Sequence, residues 1–152
     1  MGTPDPGTFW RVAEEYKCSA LFTAPTAYRA IRKEDPKGEF RLEYPLKNLR
    51  GTFLAGERLD PPTYEWLKRT LPEHTKIVDN WWQTETGWPI TCNPVGIETF
   101  EAKAGSSTFP VPGFDLKVLD TDGNEVERGE TGAIAIKLPL PPCCFPTIWQ
   151  NP

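Results

Sequence analysis

The sequence predicts an α/β fold: a parallel βαβαβ unit followed by an antiparallel β hairpin or barrel portion. Three observations carry this expectation. Three short apolar runs, "SALFT", "TFLA" and "TKIVD", are too brief for helices and rich in strand formers. Between them lie segments that open on proline and repeat their apolar residues at helical spacing. Beyond about residue 90 the pattern changes to two alternating runs separated by turn-forming residues. Strand, helix, strand, helix, strand at this spacing implies parallel pairing with right-handed crossovers. The chain therefore divides into an α/β portion over 1–90 and a β-rich portion of the same domain over 91–152.

Taken in order, "TFWRVAEEYK" (8–17) reads as a helix with Phe9, Val12, Ala13 and Tyr16 on its inward face. "SALFT" (19–23) is the first strand. "PTAYRAIRKED" starts with Pro25 in the first helical turn and ends before Pro36. Residues 38–51 form a polar connector with aromatic anchors, and "TFLA" (52–55) is a second, buried strand. "LDPPTYEWLKRTL" is the best-signalled helix: Asp60 is the N-cap, Pro61 opens the first turn, and Tyr64, Leu67 and Leu71 share a face. "TKIVD" (75–79) is the third strand. "FDLKVLD" (114–120) and "GAIAIKL" (132–138) alternate like half-buried strands around "DTDGNEVERGETG". The tail "LPLPPCCFPTIWQNP" has no periodicity and reads as extended.

Composition excludes several classes. With 17 basic against 21 acidic residues there is no dense basic surface for nucleic acid. No run reaches the roughly 18 apolar residues of a membrane span, and "MGTPDPGTFW" is neither a signal nor a transit peptide. Cys18, Cys92, Cys143 and Cys144 include no C-x-x-C pair, and His74 is the single histidine, so no zinc set assembles and free thiols are expected. His74 reads as a solvated loop residue. Glu14-Glu15 and Glu34-Asp35 read as solvated helix faces, because adjacent helical residues point apart.

In open parallel sheets, ligands bind beyond the carboxyl ends of the strands. Those ends here are Thr23-Ala24-Pro25-Thr26, Ala55-Gly56-Glu57-Arg58, and Asp79-Asn80-Trp81-Trp82-Gln83-Thr84-Glu85. Converging on one edge, they offer a flat aromatic surface, a glycine at which backbone can approach a ring, a hydroxyl and a carboxylate. A planar base on Trp81, a phosphate oxygen on Thr84 and a divalent cation at Glu85 would use all of them. A carboxylate repels phosphate, so Glu85 beside a nucleotide requires magnesium between them. On residue type alone a pair such as Trp81-Trp82 is more often one core and one exposed residue, and Gly56-Glu57 reads as only a turn into a helix.

"LFTAPTAYRAI", "FLAGERL", "DNWWQTETGWPI" and "VPGFDLKVLDTDGNEVERGETGAIAIKLPLPP" resemble, in order, consecutive motifs of the AMP-forming short-chain acyl-CoA synthetases. "AGER" and "KLPLPP" are more similar to the propionyl-CoA than to the standard acetyl-CoA enzymes, and the likeness runs from about residue 8 to 142. The resemblance implies part of an adenylation domain in an enzyme that makes an acyl-adenylate from a small carboxylate and MgATP, then passes the acyl group to coenzyme A. It implies that Gly56, Glu57 and Arg58 line the adenine and ribose side, that Asp79 and Asn80 border the base, and that Trp81 is its stacking platform, with Gln83 in the same nucleotide-binding loop. Thr84 would hold the α-phosphate and Glu85 the magnesium ion as the catalytic pair, while Trp82 and Ala55 bound the acyl pocket. Alanine at 55, where acetate-specific relatives have valine, favours propionate over acetate and admits butyrate.

The chain departs from the family pattern as well. It carries no Gly/Ser/Thr-rich phosphate loop, no downstream ribose-binding aspartate, no hinge and no catalytic lysine domain, and Cys143 stands where relatives have glycine. The expectation is a central slice of a larger cytoplasmic or mitochondrial-matrix ligase, inactive by itself and prone to self-association through open strand edges. The alternative is a non-catalytic, degenerate chain that keeps only a vestigial nucleotide or interaction surface.

Overall fold

A computed structural model describes residues 4–98, 100–142, 144, 145, 147, 149 and 150. Cys143 and the ends of the chain lie outside the described residues. The elements run α1 (Thr8–Glu15), β1 (Ala20–Thr23), α2 (Pro25–Glu34), α3 (Glu39–Leu42), β2 (Gly51–Leu54), α4 (Pro61–Thr70), β3 (Lys76–Trp81), β4 (Thr91–Cys92), β5 (Phe109–Pro110), β6 (Leu116–Leu119) and β7 (Ala133–Ile136). The main sheet has the order β1-β2-β3-β4-β5, and β6-β7 form a separate two-stranded sheet.

β1, β2 and β3 pair in parallel, as the alternating strand and helix pattern predicts. From Asn80 onward the pairing is antiparallel: β4 runs antiparallel to β3, and β5 antiparallel to β4. The main sheet thus continues past residue 90, and the antiparallel character of the second half begins inside it. The β6-β7 hairpin pairs Leu116 with Ile136 and Leu119 with Ala133.

Register sets the layers. Leu21, Thr52 and Ile77 lie in one row, and Thr23, Leu54 and Asp79 in the next row on the same face. The helices cover that face. Leu54, Leu59, Trp66, Leu67, Tyr28, Ile31 and Trp10 form the main core, with Leu46 and Leu49 from the connector closing it. Tyr28 donates or accepts a 2.6 Å hydrogen bond with Thr52, which satisfies the buried hydroxyls of both. On the opposite face Phe22, in edge strand β1, is 66% exposed.

α2 and α4 begin where proline places them, at Pro25 and Pro61. Asp60 caps α4, accepting from the Thr63 N–H and hydroxyl, each at 3.0 Å. Three expectations are corrected. In α1 Ala13 is buried and Phe9 packs against the core as expected, but the main buried residue is Trp10, whereas Val12 is 40% and Tyr16 71% exposed. The large indole of Trp10 stacks on Tyr28 at 5.7 Å and leans on Trp66 at 6.5 Å, and this aromatic contact brings Trp10 rather than Val12 and Tyr16 into the core. Asp35 is buried rather than solvated: its carboxylate accepts the Glu39 and Phe40 N–H groups at 2.8 and 3.0 Å and so starts α3. Glu14 also has a structural task, accepting the Leu46 N–H at 2.6 Å.

Candidate functional site

The loops after β2 and β3 meet at the carboxyl end of the sheet and enclose a cavity of about 400 Å³. Its wall includes Gly56, Glu57 and Arg58 from the first loop, Asp79, Asn80 and Trp81 from the end of β3, and Trp82 and Gln83 from the loop that follows. The volume lies within the usual range of about 300–1,000 Å³ for small-molecule sites. Gly56 makes the first loop possible: its φ of +95° is costly for any residue with a Cβ, while the space around it is open.

The loop after β1 joins by buttressing this wall. The Thr26 N–H donates to Glu57 Oε1 at 2.9 Å, and the Thr26 hydroxyl also donates to that oxygen. Arg29 forks between two carboxylates, donating to Glu57 Oε2 and, at 2.9 Å, to Asp60 Oδ2. The Asp60 carboxyl is disfavoured as an anion by burial, but the donors of Arg29 and Thr63 outweigh that and hold it below its ordinary value. Asp79 shows the opposite balance. Burial dominates and pushes its carboxyl up, despite the Leu59 and Asn80 N–H groups and the charge of Arg58. Asn80 is buried and its amide donates to the carbonyls of Leu54 and Val78, both at 3.1 Å, which pins the crossing from β2 to β3.

Trp81 ends β3 and packs partly on the second core cluster of Ile90, Val111 and Phe114. Trp82 is 41% exposed, and both indole residues line the same cavity. Thr84 and Glu85 are exposed in the turn just beyond Gln83, where the cavity wall stops. Ala55 is buried at the end of β2, its N–H donating to the Thr23 carbonyl at 3.2 Å.

Residue-type reasoning missed three members of this region. Thr86 is buried and holds the turn: its hydroxyl accepts the Gln83 N–H at 3.1 Å and lies 2.9 Å and 3.0 Å from the carbonyls of Gln83 and Trp88. Its place in "QTETG" was the available signal. Gly105 and Ser107 supply a further wall from the segment between β4 and β5, and nothing in that polar stretch announced it. Among the described residues no group of three or more His, Cys, Asp or Glu could hold a metal ion, and no helix is long and apolar enough to cross a membrane. Cys18, Cys92 and Cys144 are free, and burial pushes the Cys92 thiol up.

Against known proteins, the family model described as AMP-binding enzyme matches residues 1–145. The chain is 42% identical over 152 residues to the human protein named acyl-CoA synthetase short-chain family member 3, mitochondrial, covering 99% of this chain and 22% of that protein. It is 39% identical over 149 residues to propionate–CoA ligase of Escherichia coli, covering 97% of this chain and 23% of the ligase. Among solved structures, it is similar to an anthranilate CoA ligase in complex with anthranoyl-AMP, with a TM-score of 0.70 and 25% identity over 87% of this chain and 24% of that one. The chain thus spans less than a quarter of the length of these relatives.

Proposed function

The chain belongs to the AMP-binding enzyme family, and on that premise we propose that it is the nucleotide- and acid-binding part of an AMP-forming short-chain carboxylate–CoA ligase. In this reaction a carboxylate oxygen attacks the α-phosphorus of ATP, pyrophosphate leaves, and coenzyme A then takes the acyl group from the adenylate. The observation that carries the reading is the meeting of the β2 and β3 loops around a single cavity that holds both tryptophans.

Each wall suits one part of an acyl-adenylate. Trp81 offers a flat face to the purine and is steadied from behind by the second core cluster. Gly56 to Arg58, with Asp79 and Asn80, border the base and ribose. Gln83 carries the wall toward Thr84, whose hydroxyl is available to the α-phosphate. Glu85 fits a magnesium ion held mostly by phosphate oxygens and water, because such ions need only one or two protein carboxylates. The ion supplies charge neutralisation on the phosphates. On this reading Trp82 closes the acid end, and Ala55, buried next to Gly56 but not itself on the cavity wall, would leave room by its small side chain for the extra methylene of propionate. A methylene is worth about 1–3 kcal/mol in such a pocket, so acetate is a poor substrate rather than an excluded one. The propionate–CoA ligase similarity supports the same preference.

An NMR titration of the 152-residue chain with AMP tests the nucleotide half of this reading. Shifts should concentrate on Gly56–Arg58 and Asp79–Gln83, with propionate-dependent changes near Ala55 and Trp82 when both ligands are present. Shifts scattered over the surface, or none at millimolar AMP, would refute it.

A further inference from the structure

The segment from 93 to 108 forms one side of the cavity, yet its described residues contain no helix or strand. Most of its own hydrogen bonds are internal. The Ser106 N–H donates to the Lys103 carbonyl at 3.0 Å, the Thr108 N–H to Ser106 Oγ at 3.1 Å, and the Asn93 amide to the Phe100 carbonyl at 2.9 Å. Such bonds shape a loop without fixing it to the cavity. Ser107 is tied sideways to its sheet neighbour, its hydroxyl 2.5 Å from that of Thr91.

One contact ties this loop to the β2–α4 loop. Arg58, on that second loop, donates its Nε–H to the Gly105 carbonyl at 2.7 Å. The guanidinium lies close against position 105. A Cβ there would stand 2.6 Å from Arg58 Nη2 and 2.9 Å from Nε, and the φ of +81° at Gly105 disfavours any other residue independently. Glycine at 105 and arginine at 58 therefore form a matched pair. Arg58 itself sits on a loop braced by the bonds of Glu57 to Thr26 and Arg29, so the pairing transmits that bracing to the far wall.

We propose that Arg58 is a positioning residue: by holding Gly105 it fixes the wall that carries Gly105 and Ser107, and so sets the affinity for the nucleoside part of the adenylate. The affinity half rests on the nucleotide-binding reading above; the latch itself does not. The loop wall without its latch samples open positions, and the ligand must then supply the ordering that Arg58 otherwise provides.

The test uses the 152-residue chain, with AMP as the probe and amide hydrogen exchange as a second readout. Arg58→Met removes the donor and keeps the stem. Gly105→Ala keeps the arginine charge and displaces the guanidinium. Each should speed exchange at Ser106, Thr108 and Phe109 in the absence of ligand and weaken AMP binding by about three- to tenfold, the scale of one exposed hydrogen bond. Because both act through one contact, the double variant should bind no more than about twofold worse than the weaker single. Arg32→Gln removes a side chain that bonds Thr63 outside the cavity and should leave AMP binding unchanged. Unchanged exchange in Arg58→Met overturns the latch, and so does full additivity in the double variant. Faster exchange together with no AMP binding by the unsubstituted chain would instead overturn the nucleotide reading and the affinity half of this proposal.

Discussion

Replacing Trp81 by alanine removes two things at once, and the structure allows them to be separated. The first is the flat face offered to the purine. Base–aromatic stacking is worth about 1–3 kcal/mol, which corresponds to a loss in AMP affinity of about five- to 150-fold. The second is packing, since Trp81 covers part of the cluster of Ile90, Val111 and Phe114. A half-buried aromatic truncated to alanine costs stability as well, on the order of 1–3 kcal/mol given that only part of the ring is buried. The backbone contact survives, because it is the Trp81 carbonyl that accepts the Ile90 N–H at 2.8 Å. The assay is therefore a pair of measurements: urea unfolding, and AMP titration by NMR at a urea-free temperature well below the melting point. Trp81→Phe serves as the second variant, keeping an aromatic face and most of the packing, and should recover more than half of both losses. A folded Trp81→Ala chain with the AMP affinity of the unsubstituted protein would refute the stacking assignment, whatever its stability.

The acid end gives a second prediction in the full-length enzyme: Ala55→Val should move the ratio of kcat/KM from propionate toward acetate by about tenfold, one methylene's worth of energy, and Trp82→Gly should favour longer acids. Unchanged ratios across two- to five-carbon acids in both variants would remove these residues from the pocket. Asp60→Ala should cost about 1 kcal/mol at neutral pH through the lost cap of α4, read as a shift in the urea midpoint. Because the folded-state carboxyl of Asp60 is held below its ordinary value of 3.8, its contribution is full above that value and lost as pH falls through the folded one. The gap between the two proteins should accordingly narrow below about pH 4, and a gap that is the same at pH 3 as at pH 7 would show that charge plays no part in the cap.

What was legible in the sequence follows from which signals are local. Pro25, Pro61 and Asp60 act within one turn of chain, and they place the starts of α2 and α4 where the structure has them. The parallel order of β1, β2 and β3 follows from strand and helix alternation, which is nearly local. The helical period places Phe9 and Ala13 inward but does not tell Trp10 from Val12 and Tyr16, because that choice depends on partners far along the chain, Tyr28 and Trp66. Asp35 was read by its neighbour Glu34, although its partners are the N–H groups that follow it in α3. The wall at Gly105 and Ser107 was invisible for a similar reason. Gly105 meets Arg58, 47 positions away, and Ser107 meets Thr91, and no local pattern announces either contact.

On the proposed reading, the charges around the cavity favour a nucleotide over a bare anion. Three carboxylates lie at or beside the wall, and a bare phosphate there would meet repulsion. Two of them are moderated in different ways: Glu57 is paired with Arg29 and the Thr26 donors, while burial disfavours the anion of Asp79 despite the Leu59 and Asn80 N–H groups and the charge of Arg58. The inner part of the cavity is thus close to neutral, with one large aromatic face, which is the chemistry of a nucleoside. Glu85 is the third, exposed beyond Gln83 and bonded to no cation among the described residues. On the proposed reading the nucleoside sits inside and its phosphates point outward past Thr84, so the unanswered carboxylate falls where phosphate oxygens gather. A carboxylate and a phosphate can share that position only through a divalent cation. On that reading the purine end meets the walls around Trp81, and the charged end meets one hydroxyl and one carboxylate from this part of the chain.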